Sequence, residues 1–338
     1  MKKHKIGITG QAGFIGSHLY TTLSLREDVD LVNFERSFFE DMDMLSKFVS
    51  ECDSIVHLAA MNRHEDPKVI YNTNLKLVED LIAACERSKV TPHILFSSSS
   101  QELKDNFYGQ SKKEGKEKFM AWAAETGGKL SSLTIPNVFG PFGRPNYNSV
   151  VATFCHKVAN NEEPTILNDG EVGLIYVNDL VQIFIDTIFG DQQSLSLNNN
   201  SFEVEINPNH YVKVSRILEL LNGFKSNYME KGIFPNLDDH FEKSLFNTFR
   251  CYIPESHYPV KYTKHTDPRG SFVEIARTQT SGQFSFSTTV PGITRGNHFH
   301  TRKAERFAVI SGKARIQLRK IGTDEVINYD LDGKEPAY

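Results

Sequence analysis

The chain has 338 residues, 39% of them hydrophobic and 24% charged, with a formal net charge of −4. That length suits two domains, and the apolar share supports a packed core, which excludes an intrinsically disordered chain. The scattered lysines and arginines exclude the basic stripe of a nucleic-acid binder, and no apolar run is long enough to span a bilayer.

In chain order, KIGITG (5–10), DLVNF (30–34), SIVHLAA (54–60), HILFSSSS (93–100) and SSLTIPNVFG (131–140) predict buried parallel strands. Helical patterns lie between them, most clearly over 72–88 and 108–126. Strand–helix alternation predicts a doubly wound α/β sheet. From about 146 to 245 the pattern is mixed, with helices expected over 148–160 and 216–224, and this stretch is expected to build a substrate lobe. The proline-rich segment 249–270 interrupts the pattern. Beyond it, SFVEIAR, QFSFSTTV, RFAVISG, ARIQLRKI and EVINYDL predict short strands of an all-β barrel or jelly roll. The expected domains are 1–247, a linker over 248–258, and 259–338. The four cysteines, Cys52, Cys85, Cys155 and Cys251, form no CxxC pair, and the N-terminus has no signal-peptide core, so reduced thiols in a soluble cytoplasmic protein are expected.

Gly10, Gly13 and Gly16 stand in GQAGFIG, directly after a strand and before a helix. Glycines there allow a tight turn and let backbone N–H groups approach a pyrophosphate. The spacing is GxxGxxG rather than the better-known GxGxxG, so position in the strand–helix unit carries the reading. Tyr108 and Lys112 lie four apart, on one helix face, after a run of serines. A tyrosine becomes a useful acid near neutral pH when an adjacent ammonium lowers its pKa from about 10. A lone YxxxK pair equally describes a packing aromatic and a surface lysine.

Taken in order, TGQAGFIG (9–16), HLAA (57–60), Asn74, the serine run, Tyr108–Lys112, PNVFGP (136–141) and YVNDL (176–180) resemble the extended short-chain dehydrogenases/reductases that act on nucleotide sugars. The resemblance spans about residues 1–240 and implies a Rossmann-like fold. It implies that Tyr108 is the general acid, that Lys112 binds the nicotinamide ribose, and that Ser99 is the triad serine, with Ser98 and Ser100 as alternatives. It further implies cofactor contacts from Gly10, Gly13, Phe14, Ile15, Gly16, Leu58, Ala59 and Asn74, and a substrate contact from Asn137. At the end of the second strand Glu35 favours NAD and Arg36 favours NADP. NADPH held by Arg36 is expected, because a freely dissociating reductant suits a one-way reduction. Two departures stand out: the serine-to-tyrosine interval is short, and Thr134 replaces an arginine common among relatives.

Near the C-terminus, PGITRGNHFHTRKAERFAVISG (291–312) places His298 and His300 two apart, with Glu305 following. In a strand, residues two apart face one side, and two histidines with a carboxylate suit zinc (Zn2+), iron or manganese. Two surface histidines on a barrel are the plain alternative. The spacing from Gly292 to Gly312 resembles the first motif of the cupin family, which implies His298, His300 and Glu305 as metal ligands in a jelly-roll domain. A second cupin motif is not reached before Tyr338, so a barrel completed by further residues or by a partner chain is expected. DPRGSF (267–272) with RGNHFH (295–300) resembles nucleotide-sugar 3,5-epimerases, which implies that Arg269 contacts a nucleotide diphosphate.

The two halves together resemble the bifunctional reductase–cupin enzymes of capsular-polysaccharide and O-antigen synthesis. The resemblance implies a UDP-2-acetamido-2,6-dideoxy-4-hexulose substrate, C3 epimerisation in the cupin, and C4 reduction with NADPH in the N-terminal domain. It also implies a homodimer. The chemistry is coherent, since a 4-ketone acidifies the C3 hydrogen and is itself the group reduced. For the epimerase base, His265 and Tyr262 are the nearby candidates. Two other readings are a reductase whose cupin is only structural, and a dinucleotide-sensing module without chemistry.

Overall fold

The computed structural model describes residues 2–190, 195–198, 200–280, 282–300 and 304–335. In chain order it runs β1 (His4–Thr9), α1 (Phe14–Ser24), β2 (Val29–Val32), α2 (Met42–Glu51), β3 (Ser54–His57), α3 (Pro67–Ser88), β4 (His93–Ser99), α4 (Phe107–Thr126), β5 (Leu130–Ile135) and β6 (Asn137–Phe139). Then follow α5 (Val150–Ala159), β7 (Glu171–Tyr176), α6 (Val177–Phe189), β8 (Leu195–Asn198), β9 (Ser201–Glu205), β10 (His210–Lys213), α7 (Val214–Phe224), β11 (Ile233–Phe234) and α8 (His240–Arg250). The remaining strands are β12 (Lys264–Asp267), β13 (Gly270–Thr278), β14 (Gln283–Thr289), β15 (Lys313–Arg319) and β16 (Val326–Asp332).

The chain divides into two compact units, one of residues up to Thr263 with Glu274–Ser285, the other of Lys264–Val273 and the residues from Phe286 onward. In the first unit a seven-stranded sheet has the order β2-β1-β3-β4-β5-β9-β8. Its strands are parallel except where β8 meets β9 antiparallel. Strands buried on both faces need continuous apolar runs rather than alternation, and all four residues of β3 are buried. One face packs under α1 and α6 around Leu19, Leu23, Leu180 and Phe184; the other packs under α2, α3 and α4 around Phe48, Leu81, Phe96 and Phe119.

Helix boundaries follow local chemistry. Asp66 caps α3 by accepting from Lys68 N, with Pro67 in the first turn. Asn106 caps α4 by accepting from Gly109 N, and Gly127 ends it with φ of 76°. Gly115 lets α4 lie close on the sheet, since a Cβ there would sit 3.2 Å from both Phe96 and Val78. A smaller sheet, β10-β7-β6, packs with α5, α7 and α8 around Phe139, Phe154, Leu174, Ile217, Leu245 and Phe249.

In the second unit β12 and the start of β13 form a hairpin, with Lys264 opposite Val273, and β15 pairs antiparallel with β16 from Lys313–Asp332 to Arg319–Val326. RFAVISG, expected as a strand, carries none in its described form. A strand needs a ladder partner, and Phe307 and Ile310 stand 60% and 62% exposed.

Candidate active site and candidate metal centre

The sheet order reverses at β1, with β2 on one side and β3 on the other, and a crevice opens at such a switch point above the carboxyl ends of the strands. The glycine loop occupies this place. Gly10 adopts φ of 79°, and a Cβ there would fall 2.9 Å from Ala59 N, so the loops after β1 and β3 touch only because residue 10 is glycine. Gly13 N donates to Gly10 O at 2.9 Å, and a Cβ on Gly16 would lie 2.2 Å from the same oxygen. Phe14 and Ile15 open α1, which has no side-chain cap, so its first N–H groups face the crevice free of side-chain partners. Leu58 N donates to Thr9 O, and Ala59 N to Thr9 Oγ1, which fixes the loop after β3. Arg36 and Glu35 are both exposed just beyond β2.

Asn74 serves this loop from below. Its carboxamide accepts from Met61 N at 2.7 Å and donates to Met61 O at 2.9 Å and to Ser111 Oγ at 3.0 Å. Its polar atoms are spent on protein partners, which makes it a brace between the loop and α4.

The serine run ends β4 beside the start of α4. Lys112 is buried; its Nζ donates to Ser97 O at 2.8 Å and lies 4.9 Å from the Phe96 ring centroid and 5.8 Å from that of Tyr108. Tyr108 and Lys112 thus share one helix face. The expectation that the ammonium lowers the Tyr108 pKa is not met in the free chain. Burial first, and Tyr147 second, push the Tyr108 phenol up to about 12. The physical reason is that Lys112 points at the Ser97 carbonyl, and burial pushes its own ammonium down to about 8, against the opposing pull of Glu102. His57, stacked on Phe96 and hydrogen-bonded to Thr9, is pushed by burial to about 3 and is neutral. Of the three serines, Ser99 accepts from Gln101 N, while the buried Ser98 hydroxyl has no hydrogen-bond partner. Asn137 lies exposed on β6 and donates to Gly173 O at 3.2 Å.

Sequence reasoning passed over three groups here. Ser97 receives the Lys112 ammonium. Tyr147 donates to Asn62 at 2.6 Å, and Arg63 donates to the carbonyls of Asn146 and Tyr147, so two loops meet near Tyr108. Lys116 pairs with Glu102 and Glu203. These contacts join residues from distant segments and leave no local signal; only the left-handed backbone of Asn146, at φ of 55°, is of a kind that asparagine hints at.

In the second unit, His298, His300 and Glu305 each offer one donor atom, and these lie within 4.8 Å of one another. The Glu305 carboxylate is 3.1 Å from His300 Nε2 and 3.6 Å from His298 Nε2. Two imidazoles and a carboxylate brought together in this way match the donor set of zinc and of other divalent ions. Arg269 bends back on Asp267 with Nη2 at 2.7 Å, which leaves its guanidinium exposed at the β12–β13 turn.

Two known families match this chain. The NAD dependent epimerase/dehydratase family matches residues 6–188, and the polysaccharide biosynthesis C-terminal domain matches residues 265–338. A UDP-2-acetamido-2,6-beta-L-arabino-hexul-4-ose reductase of Pseudomonas aeruginosa is 34% identical over 98% of this chain and 87% of its own length. The crystal structure of the capsular polysaccharide assembling protein CapF from Staphylococcus aureus superposes with a TM-score of 0.83 at 36% identity, covering 98% of this chain and 88% of the other. A UDP-N-acetylglucosamine 4-epimerase from Methanobrevibacter ruminantium, at 21% identity and a TM-score of 0.60 over 75% of this chain and 99% of its own, shares the fold. The Rossmann-like α/β sheet and the matches above agree: this chain belongs to the NAD dependent epimerase/dehydratase family.

Proposed function

We propose that this chain is a two-site nucleotide-sugar enzyme that epimerises C3 and reduces C4 of a UDP-2-acetamido-2,6-dideoxy-4-hexulose, toward UDP-N-acetyl-L-fucosamine for a surface polysaccharide. NADPH, when bound, would supply a hydride for C4. Tyr108 gives its phenolic proton to the ketone oxygen as charge develops there, Ser99 orients that oxygen, and Lys112 holds the nicotinamide ribose. Gly10, Gly13, Phe14, Ile15 and Gly16 cradle the pyrophosphate, Leu58 and Ala59 line the adenosine side, and Arg36 takes the 2′-phosphate. Asn74 braces this surface, and Asn137 faces the sugar.

In the second unit His298, His300 and Glu305 would hold zinc, which when bound supplies positive charge for an oxyanion next to C3. Arg269 would take up the nucleotide diphosphate. The proposal includes a homodimer working in the cytoplasm, where NADPH is held. The observation that carries the reading is the buried Lys112, fixed on Ser97 beneath Tyr108 in a chain that also assembles His298, His300 and Glu305.

The test is product mass after incubation with NADPH and the UDP-4-keto sugar in D2O. The expected product carries the hydride at C4 and one deuterium at C3. Absence of NADPH oxidation would overturn the reductase assignment; reduction without deuterium would leave the second unit as scaffold.

A further inference from the structure

The first unit holds a second cluster of charges beside the tyrosine–lysine pair. Lys116, one helical turn beyond Lys112, reaches Glu102 at 2.7 Å and Glu203 on β9 at 3.1 Å. The side chains of Lys116, Glu102 and Glu203 are 15%, 10% and 25% exposed. Glu203 also accepts from Thr134 Oγ1 at 3.1 Å, so the threonine noted in place of an arginine belongs to this cluster. The second Glu102 oxygen, Oε1, is buried without a hydrogen-bond partner. A pair with an unsatisfied buried oxygen is a poor source of stability, so its placement calls for another account.

That account lies in the turn Ser100–Leu103, which carries Glu102 and joins the serine strand end to α4. At its start the turn is capped by Ser99, which accepts from Gln101 N. On its inner side it presses against α4 so closely that a Cβ on Gly109 would meet Gln101 O at 2.0 Å. On its outer side, among the described residues, the Lys116 pair ties Glu102 to α4 and β9. The turn therefore sets the spacing between the serine hydroxyls and the Tyr108 ring. The groups around Lys112 are Ser97 and Phe96 from β4 and Tyr108 from its own helix, with His57 of β3 stacked on Phe96 and Glu102 of the turn brought near by Lys116, one helical turn away. Among these groups Glu102 alone carries a carboxylate.

We infer that Glu102, Lys116 and Glu203 are positioning residues for the reduction: they clamp the turn between the serine strand end and the Tyr108–Lys112 helix, and the Lys116 pair holds the Glu102 carboxylate one helical turn from Lys112. The inference rests on the reductase reading of that pair.

The charge variants test it, because they move the potential in opposite directions. Glu102→Gln keeps the shape and removes the anion, so the alkaline limb of NADPH binding and turnover is expected to move to lower pH by roughly half a unit. Lys116→Met leaves Glu102 uncompensated, so the same limb is expected to move to higher pH, with kcat reduced about tenfold by loosening of the turn. Lys116→Arg is expected to restore the wild-type profile. Both limbs staying in place, or both moving the same way, overturns the inference even if the variants lose stability or turnover. Binding is read by NADPH fluorescence without sugar. Wild-type protein that binds NADPH yet reduces no UDP-4-keto sugar would therefore sink the substrate assignment and leave the clamp to be judged on the binding limb.

Discussion

Replacing Lys112 with methionine is expected to raise stability and abolish reduction at once. The lysine is 3% exposed, and burial takes its ammonium from an ordinary 10.5 down to about 8. A fall of that size corresponds to about 3 kcal/mol of preference for the neutral form. Below about pH 8 both the folded and the unfolded chain hold the proton, so the folded state carries the penalty in full. Between about pH 8 and 10.5 the unfolded chain retains a proton that the folded chain has released, and stability from this group rises with pH. Methionine keeps the aliphatic body and removes the charge. Against the relieved penalty stand the lost hydrogen bonds to Ser97 O and Oγ, at 2.8 and 3.4 Å, and the contact with Phe96. Together these offset about 1–2 kcal/mol. The net expectation at pH 7 is a gain of about 1–2 kcal/mol, a rise in Tm of roughly 2–6 °C. The gain should shrink as the pH approaches 10. Thermal unfolding at pH 7 and pH 10, run beside NADPH oxidation, measures both effects. A variant less stable than wild type at pH 7, or an advantage indifferent to pH, would refute the burial argument; a variant that still turns over would refute the role given to Lys112.

Gly16→Ala would place a Cβ 2.2 Å from Gly10 O and 2.9 Å from Gln11 Cα, so the loop must shift. NADPH affinity should fall at least about tenfold in a fluorescence titration, and unchanged affinity would count against the loop as the pyrophosphate cradle. His300→Ala removes one of three donors gathered within 4.8 Å. Bound zinc measured by elemental analysis should drop severalfold and C3 deuterium exchange should stop, while Tm of the first unit and NADPH binding hold. Metal content equal to wild type would remove the candidate centre.

Much of this architecture was legible because buried parallel strands must be continuously apolar, and SIVH, ILF and IGIT leave little choice of period. The helix carrying Tyr108 was legible from its helical pattern over 108–126, to which the structure adds Asn106 as cap and Gly127 as stop. What Lys112 touches was not. Its target depends on how closely α4 approaches β4, and that distance is set by Gly115 against Phe96, a contact between residues far apart in sequence. The same holds for Lys116, whose partners lie 14 and 87 residues away. In the second unit the His-x-His spacing with Glu305 was readable as a divalent-metal donor set, although the described residues 293–300 carry no strand. RFAVISG misled because an apolar run predicts a strand only where a neighbour completes its hydrogen bonds.

The high pKa of Tyr108 agrees with the proposed direction of reaction. In a reduction the acid must hold its proton until hydride has begun to turn the ketone into an alkoxide, a far stronger base than phenolate. A phenol pushed up to about 12 is fully protonated at neutral pH and still gives its proton downhill to that oxygen. The reverse oxidation would need phenolate at rest, which burial opposes and which the Lys112 ammonium, committed to the Ser97 carbonyl, does little to favour. Burial around Tyr108 thus makes the site a poor base and a ready acid. That bias would suit the proposed pairing with a second site acting on the same ketone, because a one-way reduction would remove the epimerised sugar and draw the C3 equilibrium toward product.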